Sequence, residues 1–474
     1  MVESKLSADN PITSTRLGGK AWSSIVIFGL FGQVAWVIEN MYFNVFMDRT
    51  VTSNPFAVSV MVAASAVIAT LTTLLAGIFS DRKGNRRHMI SWGYFIWGLT
   101  VMLFSVISVE NTIKLFNMSE TVAIGFTVAI IVIMDCVMSA FGSFSNDAAF
   151  NAWVTDVTDE TNRGKAEGVL AIMPLLAVGV VFGGFDWMTQ DTWRYTDNTL
   201  GSSWREGATL VSHGNWLLFF LILGGLVTAI GIAGLFLVKD SPRLVKNEKS
   251  NYKDIIYGFK PEVIKANKNL YLAYLAMAIV GISNNTYMPY LIIYIDRTLQ
   301  IANYIVAIGI VGGLAGAFSV IIGILYDKFG RRNFLIPIFI SYFVGAGLMM
   351  VASPLVFKNE ATPLWIFAIA GFVLMGSHLG IGSIFTATVR DWTPKDKVGL
   401  FQGVRMFFWV LLPMVIGPML TAIITRTSTA VGIDQFGQNI YNYSPYMFLL
   451  ASGIMLINIP VIIKLFKILK AEKM

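Results

Sequence analysis

The chain has 474 residues, of which 55% are hydrophobic and only 13% are charged, and its mean hydropathy is +0.66. Because a soluble domain usually carries about 25% charged residues, this composition excludes an ordinary soluble protein. Three histidines and one cysteine exclude a disulfide framework and a thiolate metal site, so no metal and no other cofactor is expected. The net charge of +7 comes from short basic clusters between apolar runs, which indicates membrane topology and not nucleic-acid binding.

Twelve apolar segments are long enough to cross a bilayer. A helix needs about 20 apolar residues to cross a hydrocarbon core of about 30 Å, and runs of this length are too long for barrel strands. The chain therefore predicts an all-α integral membrane protein. We number the segments spans 1 to 12 and predict them at residues 22–46, 56–79, 88–109, 121–150, 164–187, 214–238, 269–293, 302–326, 333–353, 362–388, 399–425 and 442–466.

Charged segments divide the chain into domains. Residues 1–21 form a polar tail that lacks the pattern of a cleaved signal peptide, and residues 467–474 form a second tail. The basic stretch 239–268 predicts a linker between an N-terminal bundle, 22–238, and a C-terminal bundle, 269–466. With the tails and linker in the cytoplasm, 27 of the 35 Lys and Arg lie on that side and seven lie in the outer loops. This asymmetry predicts a multi-pass protein of the cytoplasmic membrane with both termini cytoplasmic.

Two internal repeats relate the halves. Residues 77–87, after span 2, recur 246 positions later as residues 323–333, after span 8, with two glycines, an aspartate and basic residues in register. Between spans 4 and 5, a second pattern containing Asp156 recurs at an offset of 235, where Asp391 takes the same place. A duplicated set of six spans is typical of transporters and predicts two pseudo-symmetric six-helix bundles.

The first repeat resembles the loop signature of the major facilitator superfamily, G-x-x-x-D-[RK]-x-G-[RK]-[RK], and twelve spans with a central linker are that family's layout. The resemblance implies solute transport by alternating access. It also implies gate residues that hold the cytoplasmic side shut in one state; the alternative is ordinary loop charge. The implied gate residues are Asp81, Arg82, Asp327 and Lys328 of the repeated loops, with Asp156, Arg163 and Asp391 after spans 4 and 10.

Two stretches resemble a narrower group, the glycoside-pentoside-hexuronide cation symporters and the sucrose-proton symporters. They are the polar part of span 1 and the loop at residues 152–164. The resemblance implies cation-coupled symport of a sugar or glycoside. Sodium-coupled members carry an acidic pair in the second helix, whereas residues 56–79 contain no ionisable group. The expected coupling ion is therefore H+.

Ionisable residues inside spans are the first candidates for function, because a charge at the bilayer centre costs about 2.5–3.5 kcal/mol even on a lenient scale. Asp135 lies halfway along span 4, and Ser139, Gly142 and Asn146 follow it at helical spacing. This polar stripe is expected to face a cavity between the bundles, which makes Asp135 the leading proton site. The alternative is a structural carboxylate bonded to a neighbouring helix.

Span 1 supplies the first candidate substrate ligands, Gln33, Trp36, Glu39 and Asn40. Amides, an indole and a carboxylate suit hydroxyl-rich or zwitterionic solutes, and proteins hold sugars by hydrogen bonds and by stacking on aromatic faces. Glu39 is also a second candidate for cation coupling. The alternative is that it only reaches the outer interface.

Spans 7, 10 and 11 supply the remaining candidates. Pro289 predicts a kink or a break in span 7, and such breaks often line transporter sites. The histidine in span 10 has an alternative role as a packing residue. The alternative for the arginine in span 11 is a side chain that extends to the cytoplasmic surface. If the arginine and the glutamine one turn before it both point inward, they favour an anionic substrate. The candidate substrate ligands of this half are Asn284, Asn285, Tyr287, His378, Gln402 and Arg405.

Together these features favour a secondary active transporter that moves a small polar solute, a sugar or glycoside, by proton-coupled symport. An enzyme is not expected, because the sequence lacks a metalloprotease motif, a credible hydrolase elbow and a phosphate loop. The alternatives are a proton-coupled exporter of drugs or metabolites and a carrier-like receptor without transport. The expected partners are a small-molecule substrate, H+ and the lipid bilayer.

Overall fold

A computed structural model describes residues 17–158, 162–202, 208–241, 252–301, 304–357, 362–394, 398–426, 430–433, 437 and 439–471. Within these ranges the side chains of Asp81, Asp327 and Gln402 lie outside the described part, so the predictions made for them have no structural counterpart here.

Long helical segments follow the twelve predicted spans in order, and the all-α prediction is confirmed. Ten are single helices long and apolar enough to cross a membrane, and span 12 is a helix pair bent by 48°. The segments are Gly19–Thr50, Pro55–Lys83, Arg86–Val106, Glu120–Val157, Arg163–Phe185, Trp216–Leu237, Lys268–Asn285, Tyr304–Phe329, Arg331–Val351, Leu364–Trp392, 398–426, and Tyr446–Ile457 with Ile459–Ala471.

Span 7 is broken at the predicted proline. Its α-helix ends at Asn285, and a 3-10 turn, Met288–Tyr290, contains Pro289. The chain then continues through the short helix Leu291–Ile293 and a π-helical turn, Tyr294–Thr298. Proline lacks the backbone donor that an uninterrupted helix needs, which accounts for the break.

Several shorter elements interrupt or connect the spans. Further π-helical turns lie inside spans 1, 4 and 11, at Ile38–Tyr42, Ser143–Phe150 and Phe407–Leu411. The short connecting helices are Val109–Phe116, Asp186–Met188, Tyr252–Phe259, Pro261–Ala266 and Pro354–Phe357. Two small antiparallel sheets follow spans 5 and 11, formed by Leu200–Gly201, Thr192–Arg194 and Thr209–Ser212, and by Ala430–Ile433 and Asn439–Tyr441.

Each of the repeated loops contains a glycine with positive φ. Gly84 has φ of 60° and Gly330, its counterpart, has φ of 87°. A positive φ is strained for residues with a side chain, so both loops need glycine at this position. We call the end of the molecule that carries these loops the motif side, and the opposite end, where the small sheets lie, the far side.

The two bundles meet through symmetric pairs of spans, span 2 against span 11 and span 5 against span 8. These two contacts are equivalent under the pseudo-twofold symmetry that relates the halves, because span 2 corresponds to span 8 and span 5 corresponds to span 11. Inside the N-terminal bundle, glycines at the contact between spans 3 and 6 allow the two helix backbones to approach closely. A Cβ on Gly231 would lie 2.3 Å from the backbone nitrogen of Phe95.

We predict that Gly231→Ala destabilises the protein while Gly225→Ala on the same helix does not. The added methyl at position 231 collides with backbone, whereas nothing lies within 4 Å of the Cβ position at Gly225. Overpacking of this kind costs about 1–3 kcal/mol. The measurement is the thermal unfolding midpoint of both variants in detergent, and equal midpoints would contradict the close approach of spans 3 and 6.

Candidate functional site

A cavity of about 290 Å³ lies between the two bundles, midway along the spans. We call it the central cavity. Its walls come from spans 1 and 2 of one half and spans 7 and 11 of the other. The lining residues are Gln33, Trp36, Val37, Asn40, Met41, Val62, Asn284, Asn285, Met288, Pro289 and Met414.

Irregular helix geometry places these residues at the cavity. In span 1 the π-helical turn Ile38–Tyr42 includes Asn40, and in span 7 the α-helix ends at Asn285. Such turns alter the direction of the side chains and leave backbone groups outside the regular hydrogen-bond ladder. Five of the predicted substrate ligands, Gln33, Trp36, Asn40, Asn284 and Asn285, are thereby brought together from both halves.

Local hydrogen bonds orient the asparagines. Asn40 Nδ2 donates to the carbonyl of Trp36 at 2.8 Å, and Asn285 Nδ2 donates to the carbonyl of Gly281 at 3.0 Å. Asn284 Oδ1 accepts from the Tyr287 hydroxyl at 2.8 Å. Each amide therefore keeps further donor or acceptor capacity for a solute. Tyr287 itself is buried and does not line the cavity, so it holds Asn284 in place from behind.

The indole of Trp36 forms the aromatic part of the lining. It packs edge-on against Trp97, with ring centroids 5.3 Å apart. Its hydrogen bond to the Asp147 carboxylate, which also accepts from Asn146 at 3.1 Å, further restrains the ring. An indole held in this way offers a rigid face to a bound solute.

Glu39 and Asp135 lie inside the N-terminal bundle and do not line the central cavity. Ser139 Oγ donates to Glu39 Oε1 at 2.6 Å, and Asp135 interacts with Ser65 of span 2. Glu39 Oε2 and Asp135 Oδ1 have no hydrogen-bond partner among the described residues. The expectation that Asp135 faces the space between the bundles is therefore wrong, because its helix face is covered by spans 1 and 2.

The two carboxylates form a buried pair. They are close enough for each charge to act on the other, and Asp147 adds a third, weaker influence on Glu39. Glu39 is 5% exposed and Asp135 is 1% exposed, so the alternative placement of Glu39 at the outer interface is also wrong.

The remaining predicted ligands of the C-terminal half lie elsewhere. His378 is buried within its own bundle, away from the lining of the central cavity, and its Nδ1 has no partner in the described part of the chain. Arg405 lines a different cavity near the motif side. Helical spacing identified these residues as polar positions but could not say which neighbour each one faces.

Two of the predicted gate residues, Asp156 and Asp391, form ion pairs within their own bundles. Asp156 accepts from Arg86 at 3.1 Å, and Asp391, its counterpart in the second half, pairs with Arg331 at 2.6 Å. The two arginines are one position out of register in the repeat, because Arg86 corresponds to Arg332. The outermost charges of the repeated loops, Arg82 and Lys328, are exposed.

Arg163 also bonds locally. Its guanidinium, at the start of span 5, donates to the carbonyl of Thr155 in the last turn of span 4 at 3.1 Å. The gate assignment itself stays a prediction.

Four charged residues join the bundles at the far side. Asp48 pairs with Arg297 at 2.6 Å, and Arg49 pairs with Asp296 at 2.6 Å, with all four side chains between 1% and 8% exposed. We call Asp48, Arg49, Asp296 and Arg297 the far-side ion-pair cluster. Each half contributes one acid and one base, and the acid of each half pairs with the base of the other across the bundle interface.

Neighbouring polar contacts extend this closure. The Tyr304 hydroxyl of span 8 donates to Asp186 at the end of span 5, at 3.1 Å. The Tyr290 hydroxyl donates to the carbonyl of Pro55, at 3.2 Å, and so connects span 7 to the start of span 2. The far side of the interface is therefore closed by buried polar bonds.

Asp191, in the loop beyond span 5, adds negative charge near Arg49. Burial alone would raise the pKa of Asp191, but hydrogen bonds from His213 and the Gly214 amide and the charge of Arg49 outweigh that effect. The pKa of Asp191 is held below its ordinary value, so the group stays ionised at neutral pH.

The far-side cluster was missed at the sequence level, where Arg49 and Arg297 were counted among the outer-loop charges. A signal was present: Asp48-Arg49-Thr50 recurs as Asp296-Arg297-Thr298, 248 positions later. This offset is close to that of the repeated loops. Extending the search for repeats to three-residue charged patterns would have identified the pair.

We predict that Asp48→Asn lowers the unfolding midpoint strongly, because Arg297 then lacks its buried partner. Breaking a buried pair in this way costs about 3–5 kcal/mol. Exchanging the charges, with Asp48→Arg and Arg297→Asp together, should recover part of the loss. The control is Arg426→Gln, an exposed arginine over the Phe56 ring. A midpoint for Asp48→Asn no lower than the control would contradict the importance of the pair.

Comparison with known proteins supports this architecture. A mutant of the nucleoside transporter NupG has a TM-score of 0.65 and 11% identity, covering 94% of this chain and 99% of that one. The D-xylose-proton symporter has a TM-score of 0.64 and 12% identity, covering 94% and 96%. Identities this low show the fold alone.

Sequence comparison gives the family. Sugar efflux transporter A of Dickeya chrysanthemi is 23% identical over 154 residues, which are 32% of this chain and 34% of that protein, so the match spans about a third of the relative's length. Residues 22–387 and 273–473 match the Major Facilitator Superfamily. Because this match includes the spans of both bundles, the chain belongs to the Major Facilitator Superfamily and is a multi-pass membrane transporter.

Proposed function

We propose that this protein carries a sugar or glycoside across the cytoplasmic membrane by proton-coupled symport. The observation that carries the proposal is the central cavity, in which amides from the first span of each half meet beside a restrained indole. The finer resemblance to glycoside-pentoside-hexuronide and sucrose-proton symporters points the same way.

The chemistry of the lining suits a hydroxyl-rich solute. Gln33, Asn40, Asn284 and Asn285 supply neutral donors and acceptors, and no ionisable side chain is among the lining residues that the structure describes. Neutral amides match sugar hydroxyls, whereas a charged solute would need an opposite charge in this apolar surround.

The size of the cavity also favours a small solute. Its volume of about 290 Å³ lies just below the range of about 300–1,000 Å³ found for small-molecule sites. This size favours a solute such as a monosaccharide over the larger substrates of a drug exporter.

The Glu39 and Asp135 pair is the proposed proton site. Two buried carboxylates without a described basic partner are costly when both are charged, so the pair is expected to hold a proton or a small cation. Glu39 lies one turn from Trp36 and next to Asn40 on span 1, so a change in its charge can alter the cavity through the π-helical turn. This arrangement provides a link between protonation and solute binding.

Alternating access would then require the two bundles, residues 22–238 and 269–466, to rock about the cavity. The linker at 239–268 and the tails at 1–21 and 467–474 would lie in the cytoplasm, as the basic residues indicate. In that orientation the far-side cluster is the outer closure, and the loops with Asp81, Arg82, Asp327 and Lys328 are the cytoplasmic gate. Asp156, Arg163 and Asp391 would support that gate from the loops after spans 4 and 10.

The compared proteins fit this proposal. The names of two of them refer to sugars, the D-xylose-proton symporter and sugar efflux transporter A, and the name of a third refers to nucleosides, which contain a sugar. The efflux relative leaves export as the alternative direction of transport. A panel of labelled sugars, glycosides and nucleosides in proteoliposomes, with a proton gradient imposed in each direction, tests substrate and direction. Absence of gradient-dependent flux for the whole panel would contradict the proposal.

We predict that Asn285→Ala raises the KM for the transported sugar while leaving the maximal rate nearly unchanged. Loss of one hydrogen bond to a neutral solute costs about 1 kcal/mol, or roughly fivefold in KM. The control is Asn267→Ala, since Asn267 makes the same kind of bond, to the Val263 carbonyl at 2.9 Å, but lies outside the central cavity. Equal KM values for the two variants would exclude Asn285 as a ligand.

We predict that Glu39→Gln and Asp135→Asn each abolish accumulation driven by a proton gradient but preserve exchange of labelled for unlabelled solute. Each neutral side chain mimics a permanently protonated carboxyl, so the solute can cross but the proton cannot be released. The measurement is uptake with and without the gradient, and Glu120→Gln, at the exposed start of span 4, is the control. Undiminished accumulation in both variants would rule out the pair as the coupling site.

A further inference from the structure

A second cavity lies in the C-terminal bundle near the motif side. Its volume is about 150 Å³, and it shares no lining residue with the central cavity. Spans 7, 10 and 11 form it. The lining residues that matter for its chemistry are Tyr274, Thr386, Arg390, Thr393, Phe401 and Arg405.

Two guanidinium groups face this cavity. The charges of Arg405 and Arg390 act on each other unfavourably, and Tyr274 is the other polar group close to Arg405. No carboxylate is among the described lining residues. The described lining therefore brings two like charges to one small cavity and contains no negative charge to compensate them.

The other described charges do little to compensate the positive charge of Arg390 and Arg405. Arg390 approaches Glu167 of the N-terminal bundle at 3.7 Å, but both side chains are largely exposed, at 70% and 51%. A contact of this length between exposed groups is weak. For Arg405, the described structure gives no ion pair.

The remaining lining offers further donors on rigid supports. The Tyr274 ring stacks on Phe408 with centroids 5.8 Å apart, and its hydroxyl interacts with Thr393. Thr386 adds a second hydroxyl. Donors therefore approach the cavity from three spans, and a tetrahedral oxyanion accepts hydrogen bonds from several directions at once.

We infer that this cavity is a binding site for a phosphate group, separate from the solute site between the bundles. A cavity of 150 Å³ holds about six non-hydrogen atoms, as benzene does in an engineered cavity of that size, and phosphate has five. A phosphate monoester or free phosphate carries about −1.5 to −2 charge at neutral pH, which balances two arginines, whereas the phosphodiester of a phospholipid headgroup carries a single negative charge. The group comes either from a free phosphorylated solute or from a phospholipid headgroup.

Inorganic phosphate is the probe. Its binding to the full chain, stripped of lipid in a neutral detergent, is measured by calorimetric titration against chloride of matched ionic strength. We expect saturable binding of one phosphate per chain. Arg405→Gln should weaken it roughly 10- to 100-fold, because hydrogen bonds from charged donors are lost. Arg426→Gln, at the other end of span 11, should leave the affinity unchanged.

A second variant at the same position controls for the possibility that Arg405→Gln fails to fold. Arg405→Lys keeps the charge but removes the two-pronged donor, so it should weaken binding less than Arg405→Gln, and Arg390→Gln should weaken it as well. Unchanged phosphate affinity in the Arg405 variants, or no saturable phosphate binding to the unaltered chain, would overturn the inference. Neither result depends on transport, so the outcome is independent of the proposed sugar symport.

Nanodiscs identify the source of the phosphate. In discs of phosphatidylcholine alone, phosphate should bind as it does in detergent. If an anionic headgroup is the natural ligand, discs containing phosphatidylglycerol should abolish phosphate binding to the unaltered chain. If a free solute is the ligand, phosphate should bind equally in both kinds of disc.

Discussion

The bilayer's inability to solvate charge is the constraint on which the rest of this structure depends. A charged side chain in a span must find a partner, take up a proton or reach water. The far-side ion-pair cluster meets this requirement by pairing acids and bases across the bundle interface. Glu39 and Asp135 meet it differently, through burial beside Ser139 and Ser65 in a place where protonation can relieve the charge.

The same two segments carry both the central cavity and the far-side closure. Asn40 lines the cavity about two turns before Asp48 in span 1, and Asn285 precedes Asp296 in span 7. Separating the four buried charges would expose them to water and would also move the helix turns that hold the asparagines. Any movement at the far-side ion-pair cluster would therefore be transmitted along continuous backbone to the central cavity.

The two cavities differ in the chemistry they present. The central cavity offers neutral amides and an indole, whereas the cavity in the C-terminal bundle offers two guanidinium groups and hydroxyls. From sequence alone, Arg405 and Gln402 favoured an anionic substrate if both pointed inward, whereas the span 1 amides favoured a hydroxyl-rich or zwitterionic one. Because Arg405 lies in a different cavity from the amides, it gives no argument for a charged substrate in the central cavity. The amide-lined cavity suits a neutral polyol.

The sequence by itself determined the spans, the duplication and the break at Pro289, because lipid solvation, internal repeats and proline stereochemistry act locally along the chain. It also identified five of the residues that line the central cavity. Only the tertiary structure decided which way each polar residue faces. Asp135, His378 and Arg405 occupy helix faces whose neighbours come from distant parts of the chain, and the pairing of Asp48 with Arg297 depends on how the two bundles meet. Helical periodicity fixes a face but not the helix that covers it.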